Sequence, residues 1–184
     1  MLKNQKAFSL VELLITVCVL AILIALALPR FNKQMLNNKS VALGEDIITV
    51  FNLARYEAVR RAARVSICAS SDRATCTGSW TDGYIVFVDE ATSDSDSTPV
   101  LGSTPIIIKS VGKAANEALI EVKRGSTSID FVRYTSLGSL ARIGNSTDSI
   151  LIASKMNGCT AVGKARQITI GLSGLISVRK TDCR

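Results

Sequence analysis

The chain contains no histidine. That absence excludes the Ser-His-Asp and Cys-His arrangements of nucleophilic catalysis and every zinc site built on imidazole. Aromatic side chains are scarce, at 5 % of 184 residues, although hydrophobic residues make up 47 % and suffice for a core. No CxxC pair occurs, which argues against a thiolate zinc site. Around Asp89, Glu90, Asp94 and Asp96 the neighbours are mostly Ser and Thr, without EF-hand spacing or the glycine a calcium loop needs. "DEATSDSDSTP" is therefore expected to be a solvated, mobile acidic loop. Ser70 and Ser71 have no base beside them. No catalytic residue, metal or cofactor is expected, and no internal repeat is present.

What is present begins with five cysteines and a formal charge of +7. Cys18 lies in an apolar run and reads as a small hydrophobe. Cys68, Cys76, Cys159 and Cys183 lie beyond it and allow three disulfide pairings. The local choice joins Cys68 to Cys76 across "CASSDRATC" and leaves Cys159 and Cys183 to tie the C-terminus back. Disulfides imply an oxidising compartment, which places the chain after the apolar run outside the cytoplasm.

That run sits in "KNQKAFSLVELLITVCVLAILIALALPRF". From Leu13 to Leu28 it is apolar except for Thr16. Three explanations compete. A cleaved signal peptide would use Lys3, Lys6 and the small residues of Ala25–Leu26–Ala27, but the apolar region is long for one. A lipoprotein signal at Cys18 would want a small residue where Val17 stands. A retained membrane helix over Phe8–Leu28 has the length a bilayer core needs, with Lys3 and Lys6 on the cytoplasmic side. Under this last reading Glu12 stands out. An ionised side chain in a membrane helix costs about 3 kcal/mol near the centre and less toward the interface. The next cation along the chain is Arg30.

After Pro29, which is expected to interrupt the helical ladder, the helix resumes. Leu43, Ile47, Phe51, Ala54 and Ala58 recur at three- or four-residue spacing and form one apolar stripe. Gly44, about 1 kcal/mol worse than Ala in a helix, marks a point of bending. Eight short β-branched segments follow: "RVSICAS", "GYIVFVD", "TPIIIKSV", "EALIEVK", "SIDFVRYT", "DSILIASK", "ARQITIG" and "GLISVRK". The expected fold is α+β: a long N-terminal helix, membrane-anchoring in its first half, packed on an antiparallel head of one or two sheets.

"KAFSLVELL" resembles the type IV prepilin signal: a short basic leader, a small residue, then Phe, with Glu five residues into the mature chain. "ARYEAVRRAARVSIC" followed by "WTDGYIVFVD" resembles the minor pilin and pseudopilin group of FimU, FimT and GspH. The resemblance implies a leader over 1–7, a membrane half-helix over 8–29, an amphipathic half over 30–63 and a disulfide-stabilised head over 64–184. It implies that a prepilin peptidase cuts between Ala7 and Phe8 and methylates the new Phe8 amine. Ala7 stands where the family usually has Gly, so slower processing is expected. Glu12 would then pair with the N-terminal amine of a neighbouring subunit. The protein would be a structural subunit, not an enzyme, held in the inner membrane with a periplasmic head and joined to other pilins in a pilus. A type II secretion pseudopilin shares this anchor.

A DNA-binding role in natural transformation is the other reading. From Lys109 to Arg184 there are twelve Lys or Arg against five Asp or Glu. Arg166, Arg179, Lys180 and Arg184 are expected to gather near the final hairpin, a patch that could neutralise phosphates. Some members of the resembling group bind DNA through a C-terminal Gly-Arg-x-Arg stretch. "GLISVRK" keeps Gly174 but has Leu175 where the first Arg would be.

Overall fold

A computed structural model describes residues 9–115 and 118–183. Helix α1 spans Leu10–Arg61, 52 residues and so about 78 Å at 1.5 Å per residue. It continues across Pro29, so the donor that proline lacks does not end the helix. The helix ends where Ala62 turns left-handed, with φ 48°, and its N–H returns to the carbonyls of Ala58 and Val59.

Nine strands follow among the described residues: β1 (Val65–Ala69), β2 (Tyr84–Val88), β3 (Ile107–Val111), β4 (Ala118–Arg124), β5 (Thr127–Ser128), β6 (Phe131–Tyr134), β7 (Ile150–Met156), β8 (Ala165–Ile170) and β9 (Ile176–Thr181). They form two antiparallel sheets, ordered β3-β2-β1-β6 and β5-β4-β7-β8-β9. The eight segments expected from sequence each supply one strand. The two-residue β5 is the addition, folded back on β4 at a turn where Gly125 takes φ 57°.

Both sheets pack against the second half of α1. Ile47, Phe51, Ala54 and Ala58 are buried, with Val65, Ile67, Val86 and Val132 from the first sheet and Ile150, Ile152, Ile168 and Ile170 from the second. Trp80 joins this core between Phe51 and Tyr84, and its indole N–H donates to the Ile129 carbonyl at 2.8 Å. Gly44 is a point of close approach. A Cβ there would overlap the Cβ and Cγ of Arg166 on β8, so the glycine lets the second sheet lie against the helix.

The two sheets differ in what covers their far faces. The second alternates buried and exposed residues along β4 and β7, as a sheet with one wet face does. In the first sheet β1 is buried on both faces. Its far face carries Cys68, Ile85 and Phe87, and Leu101 packs against them.

The loop over residues 89–99 is not the mobile acidic loop expected from its composition. Arg133 of β6 lies fully buried beneath it and pairs with buried Asp89 at 2.7 Å. The Arg133 guanidinium also donates to the carbonyls of Asp94, Asp96 and Thr98 at 3.2, 2.8 and 2.8 Å. Asp89 in turn accepts from Ser66 Oγ and from the backbone N–H groups of Ala91 and Val100. Small polar residues predict a solvated loop only while their backbone bonds to water, and here one side chain supplies the donors.

Candidate assembly surface

Among the described residues, no apolar partner covers the first half of α1. Its most apolar 18-residue window has a mean hydropathy of 2.9, and none of it is buried. Leu10, Leu13, Leu14, Val17, Leu20 and Leu23 are all more than half exposed. A helix apolar on every side needs lipid or other helices around it.

Two polar side chains other than Cys18 interrupt Leu10–Ile24. Thr16 is satisfied within the helix, its hydroxyl donating to the Leu13 carbonyl at 2.8 Å. Glu12 has no such partner. It lies in the first turn of α1, where the helix dipole favours a negative charge, and it is absent from every ion pair among the described residues. Arg30 is 18 residues further along, about 27 Å up the axis. Glu12 can therefore receive a positive group from outside the chain. Ala7, Phe8 and the lysines before them lie outside the described residues.

The helix meets the head at Asn37 and Ser40, both buried. Asn37 Oδ1 accepts from the N–H groups of Thr160 and Ala161. Ser40 Oγ donates to the Lys164 carbonyl at 3.0 Å and accepts from Met156 N–H. The 156–164 loop that supplies these partners is tied to the C-terminus by a disulfide between Cys159 and Cys183. A second disulfide joins Cys68 to Cys76, and Cys18 is free and exposed.

Residues 43–174, well over half of the chain, match the family model described as type II transport protein GspH. The chain belongs to the GspH family. Residues 2–28 match the prokaryotic N-terminal methylation motif, so this GspH-family chain carries that motif ahead of the family region. Its fold is similar to the crystal structure of the type IV minor pilin FimU from Pseudomonas aeruginosa PAO1. The TM-score is 0.54 over 77 % of this chain and 89 % of that one, at 19 % identity. A second crystal form of FimU gives 0.49 over 75 % and 90 %, at 20 % identity. No curated protein matches the chain. The GspH-family protein is thus a type IV pilin-like protein of the minor pilin and pseudopilin group, with the α+β fold of one long helix on antiparallel sheets.

Of the basic residues expected to gather near the final hairpin of the GspH-family head, Arg166 and Lys180 are cross-strand partners, but they differ in exposure. Arg166 is buried, not presented to solvent. Its Nε donates to Glu45 of α1 at 3.1 Å and its Nη1 to the Gly163 carbonyl at 3.1 Å. The reason is register: Arg166 pairs with Ser154 on β7, on the face that meets the helix, and its stem lies over Gly44. Arg179 and Lys180 are exposed, but adjacent residues of a strand point to opposite faces. Arg184 lies outside the described residues. Gly174 has a packing role of its own, with φ 78° and its Cα against the Gly138 carbonyl.

The Asp89–Arg133 pair and the Asn37–Ser40 junction escaped sequence reading. The only signal was an Arg between apolar residues in "FVRYT", and that pattern also describes an exposed strand position.

Proposed function

We propose that the protein is a minor pilin. It is a non-enzymatic subunit held in the inner membrane by the first half of α1, with its head in the periplasm, and it enters a pilus at or near the tip. Prepilin peptidase removes residues 1–7 between Ala7 and Phe8 and methylates the Phe8 amine. The match to the methylation motif supports this reading, as do two disulfides that suit an oxidising compartment.

One observation carries the reading: a lone carboxylate, Glu12, on an uncovered apolar half-helix where Thr16 is already satisfied within the helix. Lipid tails are as apolar as leucine, so the anchor gains little hydrophobic energy on moving from bilayer to helix bundle. A charge that finds its mate only in the bundle biases that exchange and sets the register between subunits. The Phe8 amine of a neighbour is that mate.

Two measurements test it. Mass spectrometry of the native protein should find a chain beginning at methylated Phe8; any other start refutes the processing step. Glu12→Ala should insert in the membrane normally yet be depleted from sheared filaments, whereas equal incorporation would remove the role given to Glu12. The family description itself favours a second reading, a subunit of a type II secretion pseudopilus. The two share the anchor and differ in neighbours, so the proteins that co-purify with the cross-linked chain decide between them.

A further inference from the structure

Beyond residue 36, ten large apolar side chains among the described residues are exposed, and Val59, Leu137 and Leu175 belong to one place. The place is a contact between two turns. Gly138 follows β6, Gly174 joins β8 to β9, and both have positive φ, 76° and 78°. A Cβ on Gly174 would overlap the Gly138 carbonyl oxygen, and one on Gly138 would meet Val59 of α1. Arg55 Nε donates to the same Gly138 carbonyl at 2.9 Å. Leu137 and Leu175 each adjoin one of these glycines in sequence, which sets them near Val59, and Tyr56 shares a face of α1 with Val59. Leu137 is 85 % exposed and Leu175 61 %. Val178 continues the apolar surface along β9, on the same face as Ile176.

β9 itself is an open edge. Its six residues pair with β8, and no strand among the described residues pairs with its other side. Residues 177–180 are exposed, so neither face of the strand is covered there. The edge is also positive. Arg179 and Lys180 make no ion pair among the described residues, and no Asp or Glu occurs from Ser149 to Thr181. An unpaired edge with flanking apolar surface is what an added strand needs: backbone groups for affinity, side-chain contacts for selection.

We propose that β9 and the two turns beside it bind an extended segment of a different protein, apolar at alternate residues and bearing carboxylates, which adds to the second sheet as a further strand. Charge selects this occupant. A second copy of β9 would gather four cations on one short strand pair, and the other long edge, β3, brings Lys109. For nucleic acid the strand is a poor match: Arg179 and Lys180 are adjacent residues and so point to opposite faces, and Arg166 is turned inward to Glu45. This interface is separate from Glu12 and the anchor, and does not depend on which filament the chain enters.

The test uses the full chain in detergent micelles and a blocked, fluorescent peptide, Glu-Val-Thr-Val-Thr-Val-Glu, followed by anisotropy and amide hydrogen exchange. Saturable binding that slows exchange over Ile176–Thr181 is expected. The exposed double variant R179E/K180E should bind about tenfold more weakly, and a peptide N-methylated on alternate amides should not bind. Absence of saturable binding overturns the proposal, as does equal binding of a lysine-ended peptide or indifference to N-methylation. Duplex DNA binding that R179E/K180E abolishes would assign the cations to nucleic acid instead. Self-association through β9 would assign the edge to a second copy. Either result refutes the proposal.

Discussion

Replacing Arg133 by methionine would leave the buried Asp89 carboxylate without its counter-ion and remove the donor from the carbonyls of Asp94, Asp96 and Thr98. Losing one partner of a buried ion pair costs about 3–5 kcal/mol. Arg133→Met is expected to lower stability by that amount in urea unfolding and to make the 89–99 loop the first site of limited proteolysis. A variant with wild-type stability and an intact loop would show that the pair matters little. Gly44 gives a smaller effect of opposing parts. Alanine there gains up to about 1 kcal/mol of helix propensity, but its Cβ overlaps the Arg166 stem, and overpacking costs about 1–3 kcal/mol. Gly44→Ala should therefore be destabilising, and the loss should shrink when Arg166→Ala is added. Additive effects in that double-mutant cycle would disprove the contact.

At the scale of the element, the C-terminal turn of α1 carries its own charge cluster. Glu57 accepts from Arg60 at 2.7 and 3.1 Å and from Arg61 at 2.6 Å. These hydrogen bonds, that of Arg60 first, lower its pKa to about 2 from an ordinary 4.5. A carboxylate whose pKa falls on folding stabilises the folded state above its unfolded pKa and loses that contribution as pH drops through the folded value. The difference in unfolding midpoint between the wild type and Glu57→Gln should be constant above pH 4.5 and close between 4.5 and about 2. A difference that persists below that range would exclude ionisation as its source. Two arginines in the last turn also suit the negative end of the helix dipole.

At the scale of the molecule, one helix has an uncovered apolar half and a half packed on the head, and the helix meets the 156–164 loop through polar groups. Asn37 and Ser40 bond to the 156–164 loop, and the Cys159–Cys183 disulfide holds that loop to the end of the chain. Closing a loop of this separation, 24 residues, contributes about 3 kcal/mol in the chain-entropy picture. Converting both cysteines to serine should cost about 2–5 kcal/mol. Hydrogen exchange should rise first at residues 37–40 and 156–164, while Ile150, Ile152 and Ile168 in the core stay protected. Uniform loss of protection would mean that the disulfide stabilises the whole head and not this junction. The proposed strand-binding edge lies in the same sheet as that loop, two strands of which, β8 and β9, run between the disulfide and the Gly138–Gly174 contact.

Periodicity and composition alone determined the helix stripe at Leu43, Ile47, Phe51, Ala54 and Ala58, the eight main strands, the absence of histidine chemistry and the isolation of Glu12. These follow from spacing along the chain, and spacing is what a sequence records. The tertiary structure decided the rest. It turned Arg166 into a helix contact and left Arg179 and Lys180 on a bare edge, because strand register chooses which face each residue occupies. It made Gly44 a point of close approach, because only a packed sheet supplies the atom a Cβ would strike. It drew an acidic loop down onto Arg133, because a buried guanidinium needs several acceptors and the backbone of that loop was the nearest source.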